Sequence, residues 1–185
     1  MAFFKLITLL AVAASVTAGA IPREAGTGTY SHAPDAPNGF YIHSLNAAGE
    51  PENIFVGEVL PIVNATVNHT TAAAALLAAR KLYQGQIICK NQYTLNYNDL
   101  IAAEQGLENM FANGGSFGGK SVSYKSPSAV AYGCNYGHGQ TITGTWLAAQ
   151  FGNIATACGS SSPGWVAYPD WKAAYGVDGS GVGFC

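Results

Sequence analysis

Asp99-Leu100-Ile101-Ala102-Ala103-Glu104-Gln105-Gly106-Leu107-Glu108-Asn109-Met110-Phe111, then Ser121-Val122-Ser123-Tyr124 and Ala129-Val130-Ala131-Tyr132-Gly133-Cys134, decide the fold class. In the first run Leu100, Ala103, Leu107, Met110 and Phe111 recur at steps of three and four, the period of one helix face. Asn96 or Asn98 caps its start, Asp99 suits the positive end, and Asn113-Gly114-Gly115 stops it. The two later runs are short, apolar and β-branched or aromatic, and Ser126-Pro127 lies between them. They read as two strands around a turn. One helix followed by adjacent strands excludes an all-helical bundle and an all-β sandwich.

The pattern repeats in both directions. Downstream, Thr141 or Thr143 caps a second helix whose stripe is Leu147, Phe151, Ile154 and Cys158, and Gly159 ends it. Gly164-Trp165-Val166-Ala167-Tyr168 reads as a strand, and a Gly-rich tail runs to Cys185. Upstream, Gln86-Ile87-Ile88-Cys89 is a short apolar strand. Thr70-Thr71 opens an alanine-rich helix over residues 72–83. Phe40-Tyr41-Ile42-His43-Ser44-Leu45 and residues 53–60 are strands, joined by the turn formers of 46–52. The expected fold is α+β: a small sandwich of a mainly antiparallel sheet covered by two amphipathic helices and held by two disulfides.

The N-terminus sets the compartment. Lys5 precedes a short apolar run from Leu6 to Ala14, and Ala18-Gly19-Ala20 or Val16-Thr17-Ala18 supplies a small-residue cut. This is the pattern of a secretory signal peptide over residues 1–20. The run is shorter than the ~18–20 residues that span a bilayer, so no integral membrane segment is expected. Residues 21–38 read as a flexible stretch or pro-segment, with Arg23 as a processing candidate, and 39–185 as one domain stapled within 86–185. Arg80-Lys81 is a dibasic alternative that would release residues 82–185.

Secretion fixes how Cys89, Cys134, Cys158 and Cys185 read. None forms a C-x-x-C pair, so a zinc site is not expected. Four widely spaced cysteines in an oxidising compartment make two disulfides, in any of three connectivities. Asn64-Ala65-Thr66 and Asn68-His69-Thr70 are acceptor sequons for N-glycans. With eight basic and ten acidic residues, the chain lacks the cationic surplus that nucleic acid or an anionic membrane demands.

Ala131-Tyr132-Gly133-Cys134-Asn135-Tyr136-Gly137, Ala157-Cys158-Gly159, Pro163-Gly164-Trp165, Tyr175-Gly176 and Cys185 carry a resemblance over roughly residues 86–185. The chain resembles small cysteine-stapled secreted proteins of filamentous fungi. Some of those are compared with killer-toxin-like effectors built as a helix-on-sheet sandwich. The resemblance implies an extracellular, effector-like or toxin-like role.

The catalytic inventory of the stapled half is thin. It holds one histidine, His138, between Gly137 and Gly139, and the carboxylates Asp99, Glu104, Glu108, Asp170 and Asp178. Ser160-Ser161-Ser162 reads as a loop, and Glu104 and Glu108 read as a solvated pair on one helix face. Trp165, Tyr168 and Trp171, with His138, form a candidate binding surface, on which exposed rings would stack on sugars. The expected function is non-enzymatic binding of an extracellular protein or glycan by a monomer without cofactor or metal. The alternative is a carbohydrate-active protein, either a glycan binder or a small hydrolase.

Overall fold

A computed structural model describes residues 30–58, 85–118, 121–137 and 139–185. The expected signal peptide, the sequons at Asn64 and Asn68, the alanine-rich helix, Arg80-Lys81 and His138 lie outside the described residues. In chain order the elements are β1 (Gly39–Leu45), β2 (Pro51–Gly57), β3 (Gln86–Cys89), α1 (Tyr97–Met110), β4 (Gly115–Phe117) and β5 (Ser121–Lys125). They continue with β6 (Ala129–Asn135), β7 (Gln140–Ile142), α2 (Gly144–Cys158), β8 (Gly164–Tyr168) and β9 (Ala173–Gly179). Seven strands form one sheet in the order β2-β1-β5-β6-β9-β8-β3, every neighbouring pair antiparallel. Strands β4 and β7 form a separate two-stranded ladder. The α+β class stands, with a mostly antiparallel sheet and two helices among the described residues.

Local chemistry places the helices. The Asn96 side chain accepts from the N–H groups of Asn98 and Asp99, so α1 begins at Tyr97, two residues before the expected start. The Thr143 hydroxyl accepts from Trp146 N–H and caps α2. Leu100, Ala103 and Leu107 of α1 join Leu147, Phe151 and Ile154 of α2 in one core. The same core takes Val122 and Tyr124 of β5, Ala129 and Ala131 of β6, Val166 of β8 and Tyr175 and Val177 of β9. Alternate residues of these strands, Val130, Tyr132 and Cys134 of β6 and Trp165 and Ala167 of β8, belong to a second cluster with Tyr30 and Phe184. The central strands of the sheet are therefore buried on both faces, the second one under Tyr30 and the C-terminal Phe184. Tyr30 and His32 are buried, so the packed body reaches back beyond the expected boundary at Gly39.

The cysteines pair as Cys89–Cys158 and Cys134–Cys185, with no free cysteine. The first ties α2 to the edge strand β3; the second ties the C-terminal tail to β6. Closing loops with separations of 69 and 51 residues removes chain entropy equivalent to roughly 4 kcal/mol each.

Strand β9 is the main element absent from the sequence reading, which took Ala173–Gly179 as part of a Gly-rich tail. It sits between β6 and β8 and is buried on both sides, so it shows no apolar–polar alternation. Its Gly176 is required by close approach: a Cβ there would stand 2.5 Å from the Tyr132 hydroxyl and 2.6 Å from Trp165 Cβ. Small residues that signal a loop here serve tight packing. Strands β4 and β7, three residues each, are too short to show a period.

Candidate functional site

Three groupings of chemistry-bearing side chains emerge. The first is a network, buried at His32, His43 and Ser123 and exposed at Ser31 and Asn53, that joins four segments. Asn53 of β2 donates from Nδ2 to the Ser31 carbonyl at 2.7 Å, which turns its Oδ1 toward His43 Nδ1 at 2.8 Å. His43 Nδ1 therefore carries the proton, and its Nε2 accepts from the Ser123 hydroxyl at 2.7 Å. The Ser123 oxygen in turn accepts from His32 Nε2–H at 2.9 Å. That assignment leaves His32 Nδ1 as a bare acceptor, and it is a buried atom without a hydrogen-bond partner. Burial, then His43 and Lys125, lowers His32 from 6.5 to about 3. Burial lowers His43 to about 4 against the opposing effect of the hydrogen bond it donates to Asn53. Both rings are neutral at pH 7.

Ser123, His43 and Asn53 thus have the polarity of a nucleophile, base and orienting group. Access decides against catalysis in this conformation. Ser123 and His43 are both 0% exposed, and the serine oxygen is occupied by His32. The network serves as a polar pin between the N-terminal stretch, β1, β2 and β5. The stapled half alone does not reveal it, because His32, His43 and Asn53 all lie upstream of residue 86. A local signal existed, since His43 and Ser123 each occupy alternating positions in short strands.

The aromatic residues expected to share one surface do not. Trp165 and Tyr168, three apart on β8, project to opposite faces and are both buried. Tyr168 stacks on half-buried Trp171 at 4.7 Å and donates to Gln150 at 2.5 Å. Trp146 of α2 lies 6.1 Å from Trp171 and edge-on to Tyr175 at 4.8 Å. These rings pack on one another in the core, so the expected flat exposed row for sugar stacking has no counterpart among the described residues.

Glu104 and Glu108 depart from their expected solvated state. Both are half-buried, and burial raises them to about 8 and about 7, with Glu108 adding repulsion at Glu104. They lie on the flank of α1 away from Ala102, Gln105 and Gly106, which line a shallow cavity of about 210 Å³ with Tyr124 and Pro127. The folded state holds protons that the unfolded chain releases near 4.5, so stability is lost as pH rises from 4.5 toward 8. Glu104→Gln is expected to raise the melting temperature at pH 8 and to change it little at pH 4. Equal shifts at the two pH values would contradict this.

The exposed grouping is the outer edge of β2. Every residue from Pro51 to Val56 is exposed, and among the described residues no strand pairs with its outer side. Ile54 is 39%, Phe55 43% and Val56 53% exposed, with Leu45 of β1 at 56%. The hairpin is rigidly turned: Asn46 Oδ1 accepts from the N–H groups of Ala48 and Glu50, both at 2.9 Å, and Gly49 takes φ +80°. Phe55 packs on Tyr41 at 5.1 Å, which holds β2 against β1. Residues 39–58 contain Glu50, Glu52 and Glu58 and neither lysine nor arginine. The result is an apolar, acidic-flanked strand edge.

No helix among the described residues is long and apolar enough to cross a membrane. No family model, curated protein or solved structure matches the chain.

Proposed function

We propose that this chain is a secreted effector-like or toxin-like protein that acts outside the producing cell by binding, without catalysis, and that β2 is its binding edge. The observation that carries the reading is the exposed run Ile54-Phe55-Val56 on an edge strand with no outer neighbour among the described residues. Such an edge presents free backbone N–H and C=O groups, and proteins ordinarily guard it with lysine, proline inside the strand or a bulge that twists it away. Here the β1–β2 register shifts at Val56, between the pairs Phe40–Gly57 and Tyr41–Phe55, and the apolar centre at Ile54 and Phe55 is left open. An incoming extended segment gains main-chain hydrogen bonds along the edge and apolar contacts with Ile54, Phe55 and Val56. Glu50, Glu52 and Glu58 select a partner segment whose apolar centre is flanked by lysine or arginine. The same carboxylates disfavour a second copy of this chain, because pairing two hairpins edge to edge gathers like charge. The two disulfides and the expected leader support an extracellular site of action.

The test uses a short peptide of alternating valine and tyrosine flanked by lysines, titrated calorimetrically into the oxidised protein. Val56→Lys places a like charge against the peptide and an edge guard in the strand; it should weaken binding by about tenfold or more. Glu52→Lys should weaken it less and reduce its salt dependence. Both sites are exposed, so the melting temperature should hold. Equal affinity for wild type and Val56→Lys would overturn the reading, and so would concentration-dependent dimerisation through β2 seen by sedimentation.

A further inference from the structure

Residues 30–38 form a strap that leads into β1 and carries no cysteine. Hydrogen bonds and ring packing hold its start. Tyr30 exchanges backbone hydrogen bonds with Phe184 at 3.1 and 2.8 Å, and His32 N–H donates to the Ser180 carbonyl at 3.3 Å. The Ser31 carbonyl accepts from Asn53, and the His32 ring meets Ser123. Beneath the strap, the His32 and His43 rings lie 5.4 Å apart, edge to face.

We propose that this strap is an acid-released cover: protonation of the histidine pair detaches residues 30–33 from the sheet while the disulfide-stapled body stays folded.

The surroundings of the pair make its protonation unfavourable in the closed form. The strap contributes Tyr30, β1 contributes Tyr41, β2 contributes Asn53 and the tail contributes Phe184 against these rings. Strand β5 contributes Ser123 and Lys125, and Lys125 is 2% exposed with Asn38 as its hydrogen-bond partner at 3.3 Å. Asp178, the carboxylate on this sheet face, is already bound to Lys90 at 2.7 Å and to Tyr93. Asp35, further along the strap, is exposed. A proton on either ring therefore enters a buried site that, among the described residues, holds one cation and lacks a spare anion.

Released, the His32 imidazole returns to its ordinary 6.5, whereas closure holds it at about 3 and holds His43 beneath it at about 4. The open form binds more protons, so closure is fully favoured above pH 6.5 and weakens as pH falls from 6.5 toward 4. Release stays local because both disulfides lie within residues 89–185 and tie the tail and α2 to the sheet without the strap. It uncovers Tyr41, His43 and Ser123.

The test is amide hydrogen exchange on the full, oxidised chain near pH 7 and near pH 4.5, corrected for the intrinsic pH dependence of exchange. Protection of the Tyr30, His32 and Phe184 amides should fall roughly 10–100-fold, while β6 and β9 amides keep theirs. His32→Gln retains an N–H donor for Ser123 but does not titrate, and should remove most of that pH dependence. Unchanged strap protection near pH 4.5, simultaneous loss across β6 and β9, or the same pH dependence in His32→Gln would each overturn the proposal. Should His32→Gln free the strap near pH 7, Lys125→Met is the second arm. Without that neighbouring cation, release must move to lower pH, and an unmoved midpoint overturns the proposal.

Discussion

Removing the Cys89–Cys158 disulfide by the double change Cys89→Ser and Cys158→Ser is expected to cost on the order of 2–5 kcal/mol of folding stability. The bond closes a separation of 69 residues and ties α2 to β3, the outermost strand on its side of the sheet. Cys158 stands at the end of the stripe formed by Leu147, Phe151 and Ile154, so the bond also fixes how that stripe meets the sheet. A domain of this size has about 5–15 kcal/mol in all, and the loss consumes much of it. Denaturant unfolding at pH 7 should show a large drop in midpoint with an otherwise cooperative transition. His138→Ala is the contrast, expected to leave both stability and biological activity unchanged. An unchanged midpoint in the double serine variant would contradict the stapled-scaffold account.

Asp178→Ala is expected to cost a comparable amount, about 3–5 kcal/mol. Asp178 is 0% exposed and accepts from Lys90 Nζ at 2.7 Å, the Tyr93 hydroxyl and Gly179 N–H at 2.9 Å. Deleting it leaves a largely buried ammonium and two donors without their acceptor. The pair pins the segment after β3 to β9, the strand that closes the sheet between β6 and β8. The double variant Lys90→Met with Asp178→Leu removes both charges and should recover most of the loss. Chemical denaturation of the four proteins of this cycle measures the coupling. Two single variants that each cost under about 1 kcal/mol would show that the pair is not held as described.

The legible parts of the fold were those whose two sides differ. Helices α1 and α2 show a helical period because one flank meets the core, and Asn96 and Thr143 mark their starts by side-chain chemistry. Strands β5 and β6 were legible as apolar runs bounded by Ser126-Pro127. Strand β9 was not, because a central strand packed on both faces with Gly176 under Tyr132 carries neither alternation nor bulk. The polar network was illegible for another reason. Its members, His32, His43, Asn53 and Ser123, span 91 residues from first to last and meet only through sheet pairing and the strap. Trp165 and Tyr168 show the limit of reading clustered aromatics as a surface, since the strand period sends them to opposite faces. The β2 edge was visible as a strand, but its exposure follows from its terminal place in the strand order.

The central claim is that β2 recruits an extended partner, and backbone hydrogen exchange followed by NMR tests it most directly. The oxidised protein is compared alone and saturated with the lysine-flanked valine–tyrosine peptide. The account predicts new protection at alternate amides between Glu52 and Val56, where N–H groups point away from β1, and none along β3 at the opposite edge of the sheet. Protection appearing at β3, or binding that leaves the β2 amides as exchangeable as before, would contradict it.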